Sequence, residues 1–165
     1  TLHAAPLLAD WIAAEIQKPL VIGPDEESEQ WASAIATRVG APYTVLNKIR
    51  HGDRSVDVAL PDLSPWRGRQ PVLVDDIASS GTTLIEAARR IPLQGFPRPV
   101  CVVVHGIFAE ESYQRLQALA ERVVSTDSVP HESNAIGLAS LIANSIISSS
   151  AATENFVRHR RQPEQ

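Results

Sequence analysis

The chain has one cysteine, no methionine and only 5% aromatic residues. Cys101 has no second cysteine to pair with, so no internal disulfide can form. Its place in the apolar run Val100 to Val104 makes it a reduced core residue, and a cytoplasmic setting is the corresponding expectation. No apolar run approaches the roughly 20 residues of a membrane span, and no signal peptide is visible at the start, so no membrane partner is expected. An excess of positive charge is also absent. The net charge of −4 gives no support for nucleic-acid binding. The chain opens on Thr1 rather than methionine, which suggests a fragment or a processed chain. There is no internal repeat and no low-complexity linker.

What is present suits one globular domain. The 165 residues are 44% hydrophobic and 21% charged, enough to build a proper core. The expected division is a domain over residues 1–147 and a polar, mobile tail over 148–165 carrying Arg158, Arg160 and Arg161.

Strand and helix signals alternate. Leu7 to Ile16 has helical periodicity and is stopped by Lys18-Pro19. Leu20 to Gly23 reads as a buried strand, and Glu27 to Arg38 as a helix with Gly40 as its C-cap. Tyr43 to Asn47 reads as a strand, Lys48 to Arg54 as a polar loop, and Val56 to Leu60 as an edge strand. Val72 to Val74 is the next strand, followed by a helix over Thr83 to Ile91. Pro99 to His105 is a strongly apolar strand, Ala109 to Glu121 a helix, and Arg122 to Ser125 a last strand. A polar loop leads to Asn134, and Ala135 to Ile147 reads as a final helix. This alternation predicts an α/β fold, a mostly parallel five-stranded sheet with helices on both faces. Ligands of such sheets bind beyond the carboxyl ends of the strands, where the polar loops fall.

One of those loops carries most of the chemistry. Val72-Leu73-Val74 runs into Asp75-Asp76-Ile77-Ala78-Ser79-Ser80-Gly81-Thr82-Thr83-Leu84. Gly81 permits a tight turn, and a helix N-terminus with flanking N–H and hydroxyl donors suits three phosphate oxygens. Adjacent carboxylates can accept hydrogen bonds from ribose hydroxyls or hold a divalent cation. An acid pair alone would more often be a turn or a helix cap; the Ser-Ser-Gly-Thr-Thr that follows shifts the reading to a sugar-phosphate site. A second acidic segment, Pro24-Asp25-Glu26-Glu27-Ser28-Glu29, follows the first strand. Its carboxylates repel a bare anion and suit magnesium or a magnesium-bridged phosphate, although Glu26, Glu27 and Glu29 also complement a helix N-terminus. A third, Asn47-Lys48-Ile49-Arg50-His51-Gly52-Asp53-Arg54, places cations just past a strand. His105-Gly106-Ile107-Phe108 and Ser125-Thr126-Asp127-Ser128-Val129-Pro130-His131 are lesser features, with His105 more often structural.

In this order the motifs resemble the C-terminal half of ribose-phosphate pyrophosphokinases, the enzymes that make phosphoribosyl pyrophosphate (PRPP). The Asp75 to Thr83 motif alone resembles the PRPP-binding motif of phosphoribosyltransferases generally. The resemblance covers Leu2 to Ile147 and implies a type I phosphoribosyltransferase-like fold. It implies that Asp75, Asp76, Ser79, Ser80, Gly81, Thr82 and Thr83 bind ribose 5-phosphate or PRPP, that Asp25 binds a metal, with Mg2+ as cofactor, and that Lys48 and Arg50 are catalytic. Two departures stand out: the family commonly has two adjacent glycines where Gly81-Thr82 stands here, and glycines after the Pro-Asp where Glu26 and Glu27 stand. The family enzyme has about twice this length, and the N-terminal domain that supplies much of its ATP site has no counterpart here. A homo-oligomer is among the assemblies the resemblance allows. A stand-alone phosphoribosyltransferase using PRPP is the alternative enzyme, though no hood segment for a base is obvious. A non-catalytic PRPP-sensing regulator is the alternative outside enzymes; retained Lys48 and Arg50 argue against it.

Overall fold

The computed structural model describes residues 3–25, 28–51 and 55–148. Helix α1 (Ala5–Glu15) starts with Pro6 in its first turn and buries Leu8, Ala9 and Ile12. It ends before Lys18, whose φ of 49° lies in the left-handed region, and β1 (Pro19–Gly23) follows. Helix α2 (Glu29–Val39) ends at Gly40, as the sequence predicts. Gly40 has φ 65°, and its N–H donates to the carbonyls of Ala36 and Thr37. Strand β2 (Tyr43–Val45) returns beside β1, and β3 (Asn47–His51) and β4 (Ser55–Ala59) form a separate antiparallel pair. The long β5 (Gln70–Ala78), α3 (Thr82–Arg90), β6 (Val100–Gly106), α4 (Ser112–Leu119), β7 (Arg122–Thr126) and β8 (Asn134–Ile136) follow. Residues 139–148 are helical and are called α5.

The main sheet has six strands in the order β2-β1-β5-β6-β7-β8, every neighbouring pair parallel. Alternation along the strands sorts their side chains to two cores. Leu20, Ile22, Leu73, Cys101 and Val103 pack with Leu84, Ala88 and Leu116 from α3 and α4. Val21, Val72, Val74, Val100, Val102 and Val124 pack with Leu8, Ile12, Ala32 and Ile35 from α1 and α2. Each fully buried Leu or Ile contributes about 2–3 kcal/mol. Cys101 is buried in the first of these cores, and burial pushes its thiol up to about 12, as suits an inert packing residue. Among the described residues no helix is long and apolar enough to cross a membrane.

The structure corrects four expectations. The sheet has six strands rather than five, because Asn134–Ile136 pairs with β7 instead of opening a helix; Ile136 is buried in the α1–α2 core. The last helix therefore begins at 139, not 135, and residues 149–165 of the expected tail lie outside the described residues. Strand β5 does not stop at Val74. Its ladder with β6 runs on through Ile77↔His105 and Ala78↔Gly106, so Asp75 and Asp76 sit on a strand and not in a loop. The segment read as a loop from Lys48 is strand to His51. Five register pairs from Asn47↔Ala59 to His51↔Ser55 hold it, and a backbone ladder needs no apolar signal.

Candidate functional site

Strand β1 lies between β2, which follows it in the chain, and β5, which comes later. The winding of the sheet reverses at this point, so a crevice opens beyond the carboxyl ends of β1 and β5. Asp25 follows β1, and Asp75 and Asp76 stand on the last turns of the β5 ladder. Strand alternation sends Asp75 to the α3–α4 side with Leu73, and Asp76 to the side of Val74. Burial pushes the Asp75 carboxyl up to about 7, helped by the neighbouring Asp76 side chain and, more weakly, by the charge of Asp25. The Asp76 N–H donates to the Asp75 Oδ1 at 2.9 Å, which acts in the opposite direction. The Ile77 N–H donates to the Asp76 Oδ1 at 2.7 Å. Asp76 is exposed and faces solvent, whereas Asp75 lines a cavity of about 160 Å3.

That cavity is walled by Asp75, Ile77, Leu84 and the whole Ser79–Thr83 turn. Gly81 occupies the left-handed region at φ 62° and is the cap of α3, which has no side-chain cap. The first N–H groups of a helix have no intrahelical acceptor. Among the described residues no acceptor takes the Ser80 or Gly81 N–H either. The Thr82 hydroxyl donates to the Ser80 Oγ at 3.2 Å. The loop thus presents backbone donors and hydroxyls around one small polar cavity at a positive helix end. At the far end of α3, Arg89 and Arg90 complement the opposite pole and pair with Glu86.

Asp25 has a local role as well. Its Oδ1 accepts the Ser28 N–H at 2.9 Å, and its carbonyl accepts the buried Ser28 hydroxyl at 2.6 Å. This turn leads into α2. Glu26 and Glu27 lie outside the described residues. Among the described residues no group of three or more His, Cys, Asp or Glu could hold a metal by protein ligands alone. The acid set still fits magnesium, which is commonly held by one or two carboxylates together with substrate phosphates and water. Two carboxylates near enough to raise Asp75 are a donor set that a dication would relieve.

Lys48 and Arg50 lie on β3, opposite Val58 and Arg50's partner Val56 in the hairpin ladder. The hairpin leaves the sheet just after Leu46, whose N–H donates to the Gly23 carbonyl at 3.0 Å. It therefore departs from the same end of the sheet as Asp25, and β4 approaches α3. His105 bonds through Nδ1 to the Ser128 Oγ at 2.9 Å. The Thr126 and Ser128 hydroxyls both donate to the Val104 carbonyl, at 2.7 and 3.1 Å. His131 packs against Phe108 and Tyr113 at ring distances of 4.8 and 4.6 Å. The Ser125 to His131 segment is thus engaged within the fold.

Sequence reasoning missed Ile77 and Leu84 as cavity walls and Ser112 as a neighbour of the loop. Ile77 falls inside the motif, so its position was available as a signal. Nothing in the sequence flags Ser112, because its partner Ser79 lies 33 residues away.

The family described as Phosphoribosyl transferase domain matches residues 2–141. A ribose-phosphate pyrophosphokinase of Sulfurisphaera tokodaii is 30% identical over 77% of this chain and 44% of its own length. One of Methanothermobacter thermautotrophicus is 30% identical over 87% of this chain and 50% of its own length. This chain therefore spans about half the length of those relatives. The crystal structure of a phosphoribosylpyrophosphate synthetase from Mycobacterium smegmatis superposes with a TM-score of 0.73 at 25% identity, over 92% of this chain and 51% of that one. An orotate phosphoribosyltransferase from Aeropyrum pernix, at 20% identity and a TM-score of 0.51 over 74% of this chain and 67% of that one, shares the fold alone.

Proposed function

The chain belongs to the phosphoribosyl transferase domain family, with ribose-phosphate pyrophosphokinases among its relatives, and we propose that it is the ribose 5-phosphate and PRPP-binding half of such an enzyme. One observation carries the reading: the donor-rich Ser79–Thr83 turn and the Asp75 carboxyl line one cavity at the start of α3. In this reading Ser79, Ser80, Gly81, Thr82 and Thr83 bind the 5-phosphate, and Asp75 and Asp76 accept from the ribose hydroxyls.

The reaction of the whole enzyme would be pyrophosphoryl transfer from ATP. The C1 hydroxyl of ribose 5-phosphate attacks the β-phosphorus of ATP and loses its proton. A bond from O1 to that phosphorus forms, the bond from it to the α,β-bridging oxygen breaks, and AMP leaves with that oxygen. Lys48 and Arg50 would neutralise charge on the phosphoryl groups in transit, because such transfer rests on positioning and charge stabilisation. Asp25 would hold Mg2+ and Asp75 would support it. Magnesium, when bound, polarises the phosphoryl oxygens and offsets their charge. Much of the ATP site would come from the part of the enzyme that this chain does not span. The reduced, buried Cys101 agrees with a cytoplasmic setting.

The test has two arms on the same chain. Calorimetry with ribose 5-phosphate and with PRPP, each with magnesium, measures binding. Incubation with ribose 5-phosphate, ATP and magnesium, followed by AMP analysis, measures turnover. Saturable binding of either ligand is expected. Absence of binding to both sinks the reading. AMP formation would assign the transfer to this chain, and binding without AMP would assign it the phosphoribosyl half.

A further inference from the structure

Serine near the start of a helix ordinarily caps that helix through its own side chain. Ser112, the first residue of α4, does not. Its buried hydroxyl crosses to the phosphate loop and donates to the Ser79 carbonyl at 2.8 Å. The same carbonyl accepts the Ala109 N–H at 3.0 Å, and the Ala78 carbonyl accepts the Ile107 N–H at 3.1 Å. Two consecutive peptide groups of the loop are thus strapped to the segment between β6 and α4.

The strap has a directional consequence. A peptide group is planar and trans, so its carbonyl and N–H point opposite ways. Two donors aligned on the Ser79 carbonyl fix the plane of the Ser79–Ser80 peptide. The Ser80 N–H is thereby aimed away from α4, with no acceptor among the described residues. Ser112 also sits beside the next residue of the loop: a methyl group placed on Gly81 would stand 3.9 Å from the Ser112 Cβ. One side chain from outside the motif therefore supports both the peptide before the turn and the left-handed residue that makes it.

We propose that Ser112 is a positioning residue for the phosphate loop, holding the Ser80 and Gly81 N–H groups in the orientation that receives a phosphate. The proposal rests on the reading that this loop binds the 5-phosphate of ribose 5-phosphate. A neutral hydrogen bond of this kind corresponds to about a five- to tenfold change in affinity when it orients a donor.

The experiment compares the full chain with Ser112→Ala and Ser112→Thr. Calorimetry with ribose 5-phosphate and with inorganic phosphate measures affinity, and amide hydrogen exchange is followed at Ile107 and Ala109, whose N–H groups donate to the Ala78 and Ser79 carbonyls of the strap. Ser112→Ala should bind both probes about five- to tenfold more weakly. Exchange should quicken at those two amides while the amides of β5 and β6 stay protected. Ser112→Thr, which keeps the donor, should restore affinity to within about twofold. A wild-type chain that binds neither probe defeats the phosphoribosyl reading, while the exchange measurement still decides the strap. Unchanged exchange and affinity in Ser112→Ala overturn the proposal, as does an equal loss in both variants or a loss of protection throughout the sheet.

Discussion

The Asp76 N–H donates to the Asp75 carboxylate at 2.9 Å, yet partial burial beside two other acids pushes the Asp75 carboxyl up to about 7. Its folded value of about 7 stands above the ordinary 3.8. The folded chain thus holds a proton that the unfolded chain has released across that interval. Stability should fall as pH rises from about 4 to about 7 and level off above it. Asp75→Asn should flatten this slope and raise the melting temperature at pH 8 by a few degrees, on the order expected for 1 kcal/mol or more. Melting curves across that range decide it. An unaltered slope in Asp75→Asn would show that another group titrates.

Magnesium should act on the same acids. A bound dication favours ionised carboxylates, so magnesium should raise the melting temperature more at pH 8 than at pH 5. Asp25→Asn keeps an oxygen that accepts the Ser28 N–H, so the turn into α2 should persist, with melting unchanged within about two degrees. The magnesium-dependent shift should shrink. A full shift in Asp25→Asn removes Asp25 from the proposed metal site.

Gly81 has room but not conformational freedom to spare. A methyl group there would come no nearer than 3.6 Å to any neighbour, the Ile85 Cδ1, which is an ordinary contact, but φ is 62°. Gly81→Ala should therefore cost about 1 kcal/mol through backbone strain alone. Relaxation of that strain would tilt the donors at the start of α3 and weaken ribose 5-phosphate binding several-fold. Denaturant unfolding and calorimetry measure the two effects; loss of neither contradicts the role of the turn.

Lys48→Ala and Arg50→Ala should leave ribose 5-phosphate affinity within about twofold and lower pyrophosphoryl transfer by about a hundredfold or more. Single-turnover AMP formation, in an assembly that contains this chain and makes PRPP, separates the two. Wild-type rates in Lys48→Ala would end its catalytic assignment.

Much of this fold is legible because parallel strands buried on both faces leave long apolar runs. Val100 to Val104 is such a run, and Gly40 marks its helix end by the conformation it must adopt. The boundaries that misled are those held by pairing rather than by hydrophobicity. Ile77 and Ala78 stay in β5 because His105 and Gly106 lie beside them, and Asn134 to Ile136 is strand because β7 offers an edge. The polar hairpin at Lys48 is of the same kind.

By itself the amino-acid order determined the alternating α/β pattern and the Asp75 to Thr83 motif, because periodicity, glycine conformation and helix-end chemistry are local properties. Only the tertiary structure decided what meets what. Strand order brought Asp25 to the end of β1 beside Asp75 on β5, about fifty residues apart in sequence, and burial there raised the Asp75 carboxyl. Packing of α4 against α3 carried the Ser112 hydroxyl to the Ser79 carbonyl. Both contacts join segments whose separation no local rule encodes, and the crevice between β1 and β5 exists only once the sheet has formed.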